Sequence, residues 1–515
     1  MKRFLLVAFM CLTAALTYAQ EPADALRFSW TAPGGTARNQ AVGGAMGSLG
    51  GDVTAVFVNP AGLAFYKTGD IVFTPVYHMG KTKASYLNRT EKDQKNSFAW
   101  GTTGVVLGSG NQGRNNRNTA VSIAFTRSAD FNNNTLYRGA NNSSSYSQKF
   151  LEEIGNGNIK DANKVASDFP FGTSLAFNTF WIDTVAGGSS GNFDFKTRAP
   201  FTSGLIQEQM IETRGGISEI ALGGAVSKHD KFMFGVSLGV PILRYERNSM
   251  YTEADATDNT NNNFDFATVR EELSTKGLGF NLKAGMIFKP QEYWRVGLAF
   301  HTPTLYSLTD LYQAEITTDT ENYQGRLTDY SIDYTNGGSS EFKYTLITPY
   351  RAIGSISYVL REIQDVRKQR GFLTADVEYV NYKSSSFMED EENGLSDAST
   401  KEYLKSLNRA IDKAYKGAFN FRVGGELKFT TLMVRLGAAY YGNPYQNING
   451  EKGNRLNLSG GLGYRNQGFF VDLTYVHAMQ KDVHFPYRLE NRALYSGARL
   501  KSTVGNALMT VGFKF

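Results

Sequence analysis

From residue 71 to the last residue the chain reads in twos. Phe419, Phe421, Val423, Leu427 and Phe429 alternate with Asn420, Arg422, Glu426 and Lys428, giving one apolar face and one charged face. Leu373, Ala375, Val377 and Tyr379 likewise oppose Thr374, Asp376 and Glu378; Phe280 to Phe288 and Trp294 to Phe300 repeat the pattern. Beyond the N-terminus no apolar run approaches the roughly 20 residues of a spanning helix. With 35 Phe, 28 Tyr and 53 Gly, the chain is too aromatic for a solvated coil. A transmembrane antiparallel β-barrel hides its apolar half by such alternation, with apolar side chains toward lipid and polar ones toward a wet lumen.

Thirteen strands are clear. A fourteenth is expected in 304–316 or 341–348, since barrels of this class have even counts. The final segment, Ala507, Met509, Val511, Phe513 and Phe515, places a closing strand at the chain end. Its terminal Phe515 is the expected contact for the barrel-assembly machinery. Short connections such as His229-Asp230, Lys289 to Tyr293 and Asn466-Gln467 alternate with long ones at 127–217, 241–276, 301–349, 382–417 and 479–505. The former suit periplasmic turns, the latter extracellular loops. Residues 401–416 set Tyr403, Leu404, Leu407, Ala410, Ile411, Ala414 and Tyr415 on one helical stripe, and 204–214 is read as a second helix. Either stripe packs on the barrel rim or offers a ligand an apolar landing surface.

Lys2 and Arg3 precede the apolar Phe4 to Leu16, and Thr17 and Ala19 supply small residues at a cleavage site. This is the pattern of a secretory signal, residues 1–19. The single cysteine, Cys11, lies inside it, so the mature chain is expected to hold no disulfide and no thiolate. Loss of Lys2 and Arg3 lowers the formal charge from +6 to about +4, too little to argue for nucleic acid.

Residues 20–69, ahead of the barrel at 70–515, carry the most specific signal. The stretch 34–66 is rich in Gly and small residues and lacks long alternation, which suits a plug folded inside a cylinder. Ala37-Arg38, the run Gly43-Gly44-Ala45-Met46, Asp52 through Ala55, and Asn59-Pro60-Ala61-Gly62-Leu63-Ala64 resemble the outer-membrane fatty-acid transport family. These are the FadL-like porins, which include TodX-type aromatic-hydrocarbon channels. The resemblance implies an N-terminal hatch followed by a fourteen-stranded barrel. It also implies passive uptake of hydrophobic compounds, long-chain fatty acids foremost, with release sideways into the bilayer. Asn59 and Pro60 would form the hatch turn, Ala61 and Gly62 would let it approach the wall, and Gly43, Gly44 and Gly47 would form its small-residue run. Phe57, Phe65, Leu404, Leu407 and Ile411 are the candidate ligand contacts. The expected partners are hydrophobic small molecules, outer-membrane lipid and lipopolysaccharide.

Other chemistry is weak. Gly187 to Gly191 spells G-x-S-x-G, but in a Gly/Ser/Asn loop rather than a strand-to-helix elbow. His78, His229, His301, His477 and His484 lack metal spacing, although His477 and His484 flank a strand end where haem is an alternative ligand. No cofactor, metal site or catalytic residue is expected. Arg422, Glu426, Lys428, Asp376 and Glu378 read as a solvated lumen wall, with Lys283 or Arg295 available to a carboxylate head group. The competing readings are a non-transporting receptor or adhesin barrel, a rim-site lipid hydrolase, and a general porin.

Overall fold

The computed structural model describes residues 22–30, 34–111, 117–185, 192–257, 259–360, 370–390, 398–446 and 453–515. The signal segment 1–19 with Cys11, and the Gly187 to Gly191 string, lie outside them. Fourteen antiparallel strands form a closed barrel. Several are interrupted once along their length. They are β1 (Asp70–Phe73, then Pro75–Tyr86), β2 (Arg89–Trp100, Thr103–Asn111), β3 (Arg117–Asp130, Asn133–Asn141), β4 (Leu205–Lys228) and β5 (Phe232–Asp255). Next come β6 (Phe266–Phe288), β7 (Trp294–His301, Leu305–Asp319), β8 (Ser340–Ile347, Arg351–Leu360) and β9 (Gly371–Asn381, Ser386–Glu389). The last five are β10 (Gly417–Lys428), β11 (Leu432–Tyr441), β12 (Arg455–Asn466), β13 (Phe469–His484) and β14 (Ala498–Lys514). β14 closes on β1, pairing Asp70 with Lys514 and Val76 with Leu508.

The count of fourteen holds with a different makeup. Segments 304–316 and 341–348 add no strand; they continue β7 and β8 past the breaks at Thr302 to Thr304 and Thr348 to Tyr350. Thirteen alternating segments together with the terminal strand ending at Phe515 already make fourteen. The helix expected at 204–214 is instead the first half of β4, laddered to β5 along its length and to β3 over Leu205 to Thr213. Its apolar residues satisfy either period, and backbone pairing on both sides decides for the strand.

Apolar side chains point outward as expected: Phe419, Phe421, Val423 and Leu427 are exposed while Asn420 and Arg422 between them are buried. Leu436 is 70% exposed in the middle of this belt. Leu436→Arg is expected to cost about 2–4 kcal/mol of membrane folding. Denaturant titration of refolding into lipid vesicles measures it; an unshifted midpoint would mean this face does not meet lipid.

The stretches 241–276 and 301–319, expected as loops, are largely strand. β5 runs 24 residues, roughly 80 Å at about 3.3 Å each, far beyond the ~10 residues that cross a bilayer. The pattern inverts part-way along it. Phe234, Val236 and Ile242 face outward below; above, Leu243, Tyr245 and Tyr251 are buried inside and Arg244 is outside. The outward apolar signal stops there although the ladder continues.

Candidate functional site

The leading segment lies against the inner wall. It holds the helices α1 (Pro22–Ser29), α2 (Ala37–Ala41) and α3 (Ala55–Val58), then a 3-10 turn at Pro60–Phe65. The Thr36 hydroxyl caps α2 by accepting from Asn39 N at 3.2 Å. After α2 the chain reverses through Gly43 and Gly44, at φ 69° and 76°, a conformation that costs glycine nothing.

Inward-facing glycines of the barrel make room for this backbone. A Cβ on Gly437 would stand 2.2 Å from Gly43 N, one on Gly424 2.3 Å from Val42 O, one on Gly297 2.3 Å from Gly47 O, and one on Gly235 2.3 Å from Pro60 C. Hydroxyls on neighbouring strands bind the same backbone. Thr510 accepts from Ala37 N and Thr474 donates to Ala37 O, both at 2.7 Å; Ser459 donates to Ala41 O at 3.0 Å and Ser237 to Val56 O at 2.8 Å.

Asn59 is the hub. Its Nδ2 donates to Gly47 O at 2.6 Å and to Met286 O and Leu298 O at 3.3 Å, while Oδ1 accepts from Ala61 N at 3.1 Å. One buried side chain thereby holds the Asn59-Pro60 turn, the Gly47 loop, β6 and β7. Gly47 N in turn donates to Asp376 at 3.1 Å, and Gly62 packs on Gly50.

The charged face is not the solvated wall expected from sequence. Arg422 is 2% exposed and pairs with Glu378 at 3.1 Å and Asp376 at 3.9 Å. Arg435 bridges Glu426 and Asp472, each at 2.6 Å, and Arg38 of the leading segment reaches Glu426 at 3.5 Å. The leading segment covers these groups, so they pair with one another instead of with water. Lys428, at the strand end, stays partly exposed. Lys283 is paired with Glu219 and bonded to Asn281 at 2.6 Å; Arg295 donates to Leu49 O at 2.6 Å and lies over the Phe65 ring. Both are therefore already engaged. Arg435, Asp472, Glu219 and Arg351 escaped sequence reading, although their inward register opposite charged or small neighbours was a usable signal.

Above the segment is a cavity of about 90 Å³. Phe28, Phe57 and Ile353 give it apolar wall, and Glu219, Lys283 and Arg351 give it charge. His301 Nε2 lies 2.8 Å from Val58 O. Higher still, an extracellular cap fills the lumen. Its helices are α4 (Ser147–Asn156), α5 (Ala162–Ser167), α6 (Thr173–Asn178) and α7 (Ala398–Ala414). Leu404, Leu407 and Ile411 of α7 join one apolar cluster with Phe150, Trp181, Tyr245 and Tyr344. Phe57 and Phe65 pack lower, in two separate clusters of the leading segment, so the five candidate ligand contacts do not converge. Glu253 clamps the cap: buried, it accepts from Ser145, from Tyr146 N and Tyr251 OH at 3.0 Å, and from Trp181 Nε1 at 3.2 Å. Burial pushes its carboxyl pKa up.

The wall ladder between β2 and β3 stops part-way. Thr103–Asn111 of β2 pairs with β3, whereas among the described residues Arg89–Trp100 pairs with β1 alone. The break, Gly101-Thr102, turns inward, where Thr102 N donates to Gly35 O at 3.3 Å. The upper half of β3 overlaps β1 by side chains: Thr82 bonds Asn133 at 2.8 Å and the Tyr86 and Tyr137 rings lie 5.0 Å apart. Phe98 and Trp100 beside the break are exposed, which sets the seam at the outer edge of the apolar belt.

The histidines stay scattered. His78 bonds Asn506 at 2.6 Å and His484 bonds Tyr137 at 2.8 Å, while His229 sits in a turn and His477 beside Tyr475. Among the described residues no group of three or more His, Cys, Asp or Glu could hold a metal ion.

A closed, single-chain barrel with an outward apolar belt is a membrane-spanning fold, and such barrels belong to bacterial outer membranes. Among solved structures the chain is similar to a FadL homologue of Pseudomonas aeruginosa, with 13% identity, TM-score 0.50, and 94% of this chain and 99% of that one covered. It is similar to the toluene transporter TodX of Pseudomonas putida at 11% identity, TM-score 0.50, and the same two coverages. The likeness is one of fold. No protein-family model matches the chain, and no curated protein matches it in sequence.

Proposed function

We propose that the chain is a passive outer-membrane channel for hydrophobic compounds, with residues 20–69 as its plug. The observation that carries this reading is the pairing of a lumen occupied by a glycine-grooved, hydrogen-bonded segment with a wall seam at the outer edge of the apolar belt. A general porin needs a continuous aqueous path, which the occupied lumen opposes. An apolar solute needs apolar surface inside and an exit to acyl chains. The cap cluster supplies the first and the β2–β3 seam the second. In this reading the solute passes the cap, enters the cavity by Phe28 and Phe57, and leaves sideways past Thr102 and Trp100. Long-chain fatty acids, which the sequence resemblance implies, are the first substrate to test, and toluene, the solute of the similar transporter TodX, is the second. The protein is a transporter rather than an enzyme on this reading, needs no cofactor, meets lipopolysaccharide at its outer rim, and is inserted through its terminal strand ending at Phe515.

Uptake of labelled oleate and labelled toluene is compared in cells with the protein, without it, and with Asn59, Pro60 and Ala61 replaced together. Uptake of at least one solute is expected to depend on the protein and to change in the variant. Equal uptake of both solutes in all three strains sinks the proposal.

A further inference from the structure

We propose that the outer face of β13, β14, β1 and β2 carries a binding site for the phosphorylated, anionic head group of an outer-leaflet lipid, built on a row of four lysines. This gives a location and a chemistry to the lipid contact proposed above, rests on the same outer-membrane placement, and is independent of the transported solute. Lys481, Lys501, Lys83 and Lys92 are direct cross-strand partners on these four neighbouring strands. All four are exposed, while Thr82 and Ala84 on either side of Lys83 are buried, so the row points away from the lumen. Exposed Lys81 lies one rung below the row and exposed Arg499 one rung above it.

Such a row is unfavourable in isolation. Like charges directly opposite one another destabilise a sheet, and here three contacts of that kind follow in succession. The three rungs hold six cations and no carboxylate, and among the described residues none of the six has an ion-pair partner. Elsewhere the outward cations of the collar are balanced within the chain. Arg214 meets Glu212 at 2.8 Å, Arg244 meets Glu246 at 2.7 Å, Arg270 meets Glu315 at 3.5 Å and Lys343 meets Glu341 at 3.0 Å. The lysine row is of one sign where the rest of the collar neutralises itself, which fits an anion supplied from outside the chain.

Depth identifies the anion as a lipid. Lower on the same strands, exposed Tyr475, Tyr77 and Phe98 share one rung of the apolar belt. Met79 on β1 and Met479 on β13 carry the apolar face further outward, and the cations begin one rung beyond each, at Lys81 and Lys481. One rung is about 7 Å of strand, comparable with the roughly 5–8 Å of head-group layer on each side of the hydrocarbon. Lysine stems lie along apolar surface and hold their ammonium groups in the polar layer. Four strands spaced about 4.8 Å apart spread the row over about 14 Å, room for more than one phosphate. A soluble polyanion would gain nothing from cations set at the edge of the apolar belt, whereas a lipid head group meets them with its acyl chains already on Met79 and Tyr77.

The test uses the full chain purified in neutral detergent and fluorescent bisphosphorylated lipid A, with binding read by anisotropy and compared with lipid A stripped of its phosphates. One variant carries Lys83→Gln, Lys92→Gln, Lys481→Gln and Lys501→Gln; a control removes the same charge from paired cations, with Arg214→Gln, Arg244→Gln, Arg270→Gln and Lys343→Gln. The parent is expected to bind the phosphorylated lipid at least about tenfold more tightly than the stripped one, and the lysine variant to lose about tenfold while the control stays within about twofold. Heat-modifiable migration on gels reports the folded barrel, and the lysine variant is expected to keep it because the repulsion is relieved. Equal binding of the two lipids by the parent overturns the proposal whatever the variant does, and so does full affinity in the folded lysine variant. Heparin oligosaccharide or inorganic pyrophosphate binding as tightly as lipid A assigns the row to a soluble anion and overturns the lipid. Uptake of oleate and toluene is read separately, so protein-independent uptake beside intact lipid A binding sinks the channel reading alone.

Discussion

Arg422→Met is expected to destabilise the folded barrel by about 3–5 kcal/mol, because it leaves Asp376 buried without its cation and Glu378 with only the more distant Arg351, at 3.9 Å. Asp376 and Glu378 both lie beside this guanidinium, and each is 2% exposed or less. Glu378 keeps Asn420 at 2.7 Å, and Asp376 keeps Ser355 and Gly47 N, but hydrogen bonds do not replace the lost charge. Urea unfolding followed by tryptophan fluorescence measures the loss. Replacing Arg422, Asp376 and Glu378 together by apolar residues of similar volume is expected to recover much of it, since the desolvation penalty then disappears with the charges. A loss below about 1 kcal/mol for the single variant would mark the pair as solvent-screened. That would restore the wet-wall reading of these residues.

The second large effect concerns the groove. Gly424→Val combined with Gly437→Val places side chains where the backbone of Val42 and Gly43 now lies, at 2.2–2.3 Å. Neither strand can retreat, because each is laddered on both sides. The leading segment must give way. Overpacking of this kind costs about 1–3 kcal/mol per site, and the segment is expected to leave the wall while the barrel remains closed. The measurements are influx of a small chromogenic β-lactam into whole cells, which should rise, and limited proteolysis from the periplasmic side, which should now cut within residues 34–66. Influx unchanged from the parent, with the segment still protected, would show that it does not depend on these glycines.

The barrel itself was legible because a membrane demands an outward apolar face, and alternation records it directly. Alternation alone places Phe419, Phe421 and Val423 on the outside and marks the terminal strand ending at Phe515. The stripe at Leu404, Leu407 and Ile411 likewise marked a helix. What alternation does not record is what covers the other face. Arg422 and Glu378 have the same sequence pattern whether water or a folded segment lies over them, so their burial was invisible. The 204–214 error has a related cause: Leu205, Ile206, Met210 and Ile211 fit both periods, and the pairing partners that decide between them lie far away in sequence. The β2–β3 seam left no local trace either, since an unpaired edge is a property of two strands. Five candidate ligand contacts were chosen for being apolar near the plug or on a stripe, and that criterion cannot tell a free surface from an occupied one.

The exchange of faces within β5 has a mechanical consequence. At Ile242 the side chain outside is aliphatic, and two residues on, at Arg244, it is a guanidinium paired with Glu246. Each residue lifts the strand by about 3.3 Å, so a vertical slip of a few ångströms would drag that cation into hydrocarbon or lift aliphatic groups into water. The molecule is thereby moored at one depth. The β2–β3 seam keeps a constant height relative to the acyl chains, however the tall outer collar is pulled by what it touches.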